Sequence, residues 1–556
     1  MFIDICKAYE YRTSNFVNCL VNQFMENNQL HLSYQQTGYF SNLVADYVSG
    51  SEQLQKFYKH SVNIEGIKAA IDARLAFSTN RDLLVDALTE QYQNITLTDQ
   101  QKSHLEALKS DNTFTITTAH QPNIFTGPLY FIYKIIHAIK LADELKVQLP
   151  EYNFVPVYYM GSEDADLDEL GYINLGGEKL IWNTKQTGAV GRMLVDKALL
   201  QIITSIQGQI GIHPFGNELI NIFSQCYTLG KSIQQATLEL VNTLFADYGL
   251  LVVIPDNATL KTRFNSVIAK EIAEQFSHKA VAETIEQLSQ HYKVQAGGRE
   301  LNLFYLIDDK RERIEFDSSK FSVQSLGLEF SQEEILQELN NHPERFSANV
   351  ILRGVFQETI LPNIAFIGGG GELAYWLELK KVFEAVQVPY PMLILRNSLL
   401  FVTDEQVQRI SKLGFTVEDF FKKPFDLIND LVRKNTSNQL DITTQIETVT
   451  QQYQALQAIV SNIDASLKHH TEALQTKALK PLHELEKKML RAEKRRYEAQ
   501  QRQIEKLKSE LFPSQSLQER VDNFSYFYAK YGKDWLQTIY NQSLTLEQQF
   551  TVVKLS

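Results

Sequence analysis

Between Thr113 and Met160 the spacing of apolar residues changes period twice. Residues 113–118 (TFTITT) form a β-branched run and predict a strand. Residues 129–145 carry apolar positions at mixed three- and four-residue spacing and predict an amphipathic helix. Residues 154–160 (FVPVYYM) predict a second strand, closed by Gly161. Strand, loop, helix and strand in this order make a βαβ unit. Such a unit requires a parallel sheet and a right-handed crossover.

The pattern upstream is helical, with apolar spacing at 41–48, 62–77 and 81–92. Thr98 followed by Gln101 fits a capping box for a helix running to about Leu108. Downstream, 172–195 reads as short strands with Gly-rich turns, and 218–248, 259–274 and 280–292 read as helices. A buried strand is expected at 250–254, and a hairpin pairs 304–307 with 313–316. The runs 350–357 and 364–367 look strand-like, 372–385 helical, and 392–395 a last strand. Strands alternating with helices predict an α/β core with insertions.

The end of the chain has a different period. Ile442, Ile446, Val449, Tyr453, Leu456, Val460, Ile463 and Leu467 alternate in steps of three and four, which is a coiled-coil seam. Leu482, Leu485, Met489 and Ala492 begin a second seam. A break near 471–481 predicts an antiparallel helical hairpin with arms of about 45 Å. Phe512-Pro513 stops the second arm, and the aromatic tail (Phe524 to Trp535) is expected to fold back on the core.

Composition narrows the function. The chain has 556 residues, 44% hydrophobic and 22% charged, which excludes wholesale disorder. A net charge of −12 argues against a nucleic-acid partner. The second arm alone is basic, with eleven Lys or Arg against five Glu between Lys477 and Lys508. Cys6, Cys19 and Cys226 lie far apart, which argues against a disulfide framework and a zinc site. No run of about 18 apolar residues spans a membrane and no signal-peptide pattern opens the chain, so a cytoplasmic protein is expected.

Three segments carry candidate chemistry. His120-Gln121-Pro122-Asn123 lies between a strand and a helix, where free N–H groups and a positive dipole end suit phosphate, and Gly127-Pro128 sets the helix start. The second, running from Gly161 to Glu169, places Glu163, Asp164, Asp166, Asp168 and Glu169 after a strand's carboxyl end. These carboxylates suit a general base, an ammonium or a metal ion, or simply a capped, solvated turn. The third is Gly368-Gly369-Gly370-Gly371-Glu372, where glycines let backbone approach a ligand and Glu372 suits a ribose hydroxyl. Lesser candidates are the stretch Gln295–Asn302 (QAGGRELN) and Arg353 and Arg396, which, in or after strand-like runs, suit either an ion pair or an anion. Lys134, on the helix after the first motif, reads as solvent-facing.

The segments from Thr118 to Tyr130, from Ser162 to Glu169 and from Ala365 to Trp376 resemble the cysteine-adding enzymes of bacillithiol biosynthesis, the BshC family. So do Arg491-Ala492-Glu493-Lys494, Leu511-Phe512-Pro513 and Leu517-Gln518-Glu519-Arg520. The resemblance implies a Rossmann-like core similar to class I aminoacyl-tRNA synthetases, a coiled coil and a homodimer. It implies a ligase joining L-cysteine to glucosaminyl malate, with ATP and Mg²⁺ and without zinc. His120 and Asn123 take the places of the two histidines that hold ATP phosphates in the synthetases, and Glu163, Asp164 and Asp166 complete the catalytic set. Gly127, Gly368, Gly369, Gly370, Gly371, Glu372 and Arg396 are the nucleotide contacts. Asp168, Arg353, Tyr375 and Trp376 are the substrate contacts. The synthetases' lysine loop is replaced here by Arg396-Asn397-Ser398. That leaves two other readings open: a transferase using an already activated cysteine donor, and a non-catalytic nucleotide- or RNA-binding module.

The expected architecture is therefore α/β: a Rossmann-like parallel-sheet core with helical insertions and a C-terminal antiparallel α-helical coiled coil. Its expected parts are a helical region at 1–110, the core at 111–435 with insertions at about 196–300, the hairpin at 436–513 and the returning segment at 514–556.

Overall fold

The computed structural model describes residues 28–317 and 320–555. Cys6, Cys19 and the first part of the expected N-terminal helical region lie outside them. Two compact units form. One holds 31–400 with 516–552, and the other holds 401–515 with the last residues.

The first unit is built on five parallel strands. They are β1 (Thr113–His120), β2 (Asn153–Met160), β3 (Leu251–Val253), β4 (Asn363–Gly368) and β5 (Met392–Leu395). Their order across the sheet is β5-β4-β1-β2-β3. The chain adds strands on one side of β1 and then reverses to the other, so the order switches between β1 and β4. Ligands in open parallel sheets bind beyond the carboxyl ends of the strands at such a switch. Pairing of Thr118 with Ile367 and of His120 with Met160 brings His120 and the glycine run to one edge.

The expected βαβ unit is present. Helix α1 (Tyr130–Gln148) links β1 to β2, and its Ala138, Leu141, Ala142 and Leu145 pack on Phe114, Ile116 and Ile367 of the sheet. The capping box forms as expected, with Gln101 N–H donating to the Thr98 hydroxyl. Helix Ile64–Leu75 adds Ile67 and Ile71 to the same core.

Several boundaries differ from the pattern reading. The run from Val350 is not a strand but helix α2 (Val350–Ile360), so Arg353 stands on a helix. Asn349 caps it through Ile351 N–H, and a cap outweighs the β propensity of Val and Ile. Helix α3 (Gly370–Glu378) starts inside the glycine run, two residues before Glu372. The 218–248 segment is two helices, Gly216–Cys226 and Ile233–Phe245, because Ser232 caps a new start. The hairpin pairs Leu303–Ile307 with Lys310–Arg313, a tighter register than expected.

The second unit contains the long helices α4 (Thr443–Ser461), α5 (Ser466–Lys494) and α6 (Glu498–Leu511). Gln457 meets Gln475 across the antiparallel α4–α5 hairpin at 3.0 Å. The turn falls at 462–465, not near 471–481, and Pro481 lies inside α5. Asp464 accepts the Ser466 N–H, so a local side-chain bond starts the second arm earlier than the apolar seam implies.

One buried ion pair ties a peripheral helix to the sheet. Arg74 donates to Glu358 Oε2 at 2.7 Å, to the Glu358 carbonyl at 2.7 Å and to the Asn363 carbonyl at 2.8 Å. Both side chains are fully buried. Arg74→Met strips the buried Glu358 carboxyl of its cation, so urea denaturation is expected to show a loss of about 3–5 kcal/mol. The double variant R74M/E358L is expected to recover most of it.

Candidate active site

A cleft of about 970 Å³ opens at the carboxyl ends of β1, β2 and β4. His120, the last residue of β1, lines it. Its imidazole packs edge-on against Tyr130 at 5.3 Å. Its Nε2 is buried without a hydrogen-bond partner. Burial, then Lys134 and Arg396, hold the imidazole well below its ordinary range, so it is neutral at physiological pH. A neutral imidazole offers one donor and one acceptor.

Lys134 is not solvent-facing. It lies on α1 with 1% exposure, and its ammonium donates to the Ala119 carbonyl and to Glu372 Oε2 at 2.6 Å. The Glu372 carboxylate also accepts the Gly369 N–H at 2.8 Å. The carboxylate thus caps the start of α3 and is already paired, which limits what it has left for a ribose hydroxyl.

The glycine run has a steric basis. None of Gly368, Gly369, Gly370 and Gly371 has a positive φ. A Cβ at Gly368 would fall 2.8 Å from the Phe366 ring, and one at Gly370 would fall 3.0 Å from Val44. A Cβ at Gly371 meets nothing within 4 Å, and Gly371 lines the cleft with Gly369 and Gly370. The start of α3 therefore presents bare backbone at the switch point, a geometry suited to phosphate.

Arg396 follows β5 and closes this side. Its guanidinium donates to Glu519 at 2.7 Å, to the Asn397 carbonyl and to Ser398, and lies 5.0 Å from the Tyr130 ring centroid. Burial works against its charge, but Glu519 more than offsets this and keeps the group cationic. Arg520, next to Glu519, also lines the cleft.

The acidic segment is largely committed to internal bonds. Glu163 pairs with Lys261 and accepts from Ser347, and it does not line the cleft. Asp164 lines it but is held by both guanidinium nitrogens of Arg353. Burial opposes its ionisation, yet Arg353 and Arg311 keep its carboxyl below the ordinary range. Asp166 lines the cleft and caps a short helix through the Glu169 N–H. Asp168 is exposed and outside the cleft. Glu169 lines the cleft, its carboxyl raised by burial and by Asp166 and Asp164.

Of the other expected contacts, Tyr375 lines the cleft and three do not. Asn123 is buried beneath the loop, its side chain 2.9 Å from where a Cβ on Gly127 would stand. Gly127 takes φ 64°, a turn position that only glycine fills without strain. Trp376 stacks between Phe366 and Phe383 in the core. Its bulk and the direction of the helix face put it away from the ligand side.

Pattern reading missed a basic wall. Arg311 and Arg313 both line the cleft, 4.0 Å and 5.4 Å from the Phe304 ring centroid. Their i, i+2 spacing on one strand was the available signal, since alternate strand residues share a face. Arg299, from the Gln295–Asn302 candidate segment and so not missed, also lines the cleft. Among the described residues, Arg299, Arg313 and Arg520 have no carboxylate within 4.0 Å. The cleft thus has positive charge left over for an anionic ligand.

The returning segment holds the His120 loop in place. Leu129 N–H donates to the Asp522 carbonyl at 2.8 Å, and Asn523 donates to the carbonyls of Phe125 and Gly127.

Fold and cleft together define a Rossmann-like α/β protein with an arginine-lined cleft at its switch point. Residues 25–397 match the family model described as the bacillithiol biosynthesis BshC N-terminal Rossmann-like domain, and 399–555 match the BshC C-terminal coiled-coil domain. A Flavobacterium johnsoniae protein named "Putative cysteine ligase BshC" is 42% identical over 526 residues, covering 94% of this chain and 99% of that one. Proteins with the same name from Christiangramia forsetii and Bacillus cytotoxicus are 39% and 26% identical. They cover 94% and 92% of this chain and 98% of each relative. The chain belongs to the BshC family, and it is a ligase of bacillithiol biosynthesis.

Burial pushes the Asp522 carboxyl up to about 7, against 3.8 for an ordinary aspartate. Between these two pH values the folded chain binds a proton that the unfolded chain has lost, so this group's contribution falls as pH rises through that window. Asp522→Asn removes the dependence. Denaturation at pH 5 and pH 8 is expected to show the variant gaining on the parent at the higher pH. A pH-independent difference would clear Asp522 of that role.

Proposed function

We propose that the chain joins the carboxyl of L-cysteine to the amine of glucosaminyl malate, the last step of bacillithiol formation, using ATP to activate cysteine. The observation that carries this reading is the unpartnered, buried Nε2 of His120 beside Lys134, Arg396 and the bare backbone of Gly369, Gly370 and Gly371. These groups suit the phosphates of a nucleotide, which ATP supplies as the activating group. Phosphate oxygens accept from backbone N–H groups at the start of α3 and from a His120 ring N–H.

The leftover arginines suit the rest of the acceptor. Glucosaminyl malate carries carboxylates, and Arg299 and Arg313 offer guanidinium forks of matching geometry. Tyr375 borders the same space. Cysteine's carboxylate displaces pyrophosphate from ATP to form the adenylate, and attack by the amine then expels AMP and sheds a proton. Asp164 is a poor acceptor because its arginine partners favour the anion. Glu169, with its raised carboxyl in the cleft, is the better base. Glu163 acts from behind, through Lys261 and Ser347, while Arg353 lines the cleft itself and holds Asp164 there.

Among the described residues no three metal-ligating side chains stand together. Mg²⁺ is assigned as counter-ion of the triphosphate, a role in which it keeps most of its waters. The family resemblance supports a cytoplasmic homodimer.

The test is a mass-spectrometric assay of the purified chain with cysteine and glucosaminyl malate, with and without ATP and Mg²⁺. Amide product only with ATP is expected. Product from a pre-activated cysteine alone would favour the transferase, and no product under any condition would overturn the reading. His120→Ala is expected to lower kcat by about 10²–10³-fold, the usual effect of losing one preorganised donor.

A further inference from the structure

Residues 293–299 cross from a helix to the strand Leu303–Ile307 without regular structure. Gln295, Gly297 and Arg299 of this segment line the cleft. An arginine on such a segment recognises a ligand only if its backbone is fixed, because ordering a loop on binding costs affinity.

The backbone is fixed from below by Glu378. This residue ends α3 and is fully buried. Its Oε1 accepts the Gln295 N–H at 2.8 Å, and its Oε2 accepts the Ala296 N–H at 3.2 Å. Among the described residues no cation pairs with it within 4.0 Å. A carboxylate at a helix C-terminus is opposed by the macrodipole, and a buried one without a cation is costly. Burial accordingly pushes its carboxyl up to about 7, against the pull of the two N–H bonds. Helix packing alone would be served better by an apolar side chain. The two N–H groups of the cleft segment are the partners that account for a carboxylate at this place. Further along, Asn302 accepts the Arg299 N–H at 3.1 Å and donates to the Arg299 carbonyl at 2.9 Å. Arg299 thus stands between two tethers. Helix α3 meets the cleft at its start through Gly370 and Gly371, and grips a second wall of the cleft through its last residue.

We infer that Glu378 is a positioning residue for acceptor recognition: it fixes residues 295–299 so that Arg299 meets a carboxylate of the acceptor. The acceptor's identity rests on the function proposed above, but the tether does not.

Glu378→Gln keeps the volume and one acceptor oxygen but turns an NH₂ toward a backbone donor. The expected result is a KM for glucosaminyl malate raised about tenfold, with kcat and the KM for cysteine unchanged. Arg299→Ala is expected to give a similar rise, and E378Q/R299A no more than R299A alone, because both act through one contact. Hydrogen exchange at the Gln295 and Ala296 amides is expected to accelerate in E378Q, whether or not the chain is turning over. An unchanged acceptor KM in E378Q, or multiplied effects in the double variant, overturns the inference. If the parent chain neither binds nor uses glucosaminyl malate, the proposed function fails and exchange alone decides the tether: unaccelerated exchange overturns it. Should E378Q not fold, Ala296→Pro deletes one donated N–H, leaves Glu378 intact and is read against the same outcomes.

Discussion

The cleft depends on one buried cation. Lys134 places its ammonium between the Ala119 carbonyl at the end of β1 and the Glu372 carboxylate at the start of α3. A lone ammonium at 1% exposure is unstable unless it is paired and hydrogen-bonded. Burial does pull its proton affinity down, and Glu372 restores part of it. Glu372 in turn accepts the Gly369 N–H, so the ion pair ties the end of β1 to the start of α3 at the switch point. Lys134 also adds to burial, the larger cause, in keeping the neighbouring His120 neutral.

Charge is distributed with the same economy elsewhere. Glu163 answers Lys261, Asp164 answers Arg353, and Arg396 answers Glu519. Such pairs cost desolvation and give position in return. Among the described cleft residues, Arg299, Arg313 and Arg520 have no carboxylate within 4.0 Å, against two carboxylates, Asp166 and Glu169, without a cation, so the balance is positive. A chain with a net charge of −12 thus holds a cationic cleft, because net charge averages over a surface while a site depends on which groups face one another.

Much of this was legible in the residues. The switch of apolar period around Thr113 located β1, α1 and β2, since backbone geometry ties a period to an element. The run of glycines pointed to a close backbone approach, and Gly368 and Gly370 do stand where a Cβ would collide. Other features were opaque for a physical reason. Residues 350–357 read as a strand until Asn349 is seen to cap the helix Val350–Ile360 there. The hairpin turn at 462–465 depends on a local bond from Asp464, which the seam does not encode. Trp376, beside Tyr375 in sequence, faces the opposite way, into an aromatic stack.

The sequence by itself determined the βαβ unit, the parallel core, the coiled coil and the segments that carry chemistry. Each of these follows from local periodicity or from a short run of residues whose chemistry is special. Only the tertiary structure decided which charged groups are spent and which are free. Lys134 meets Glu372 across 238 positions of chain, and Arg396 meets Glu519 across 123. Pairings at such separations are set by packing of the whole domain, and no local pattern carries them.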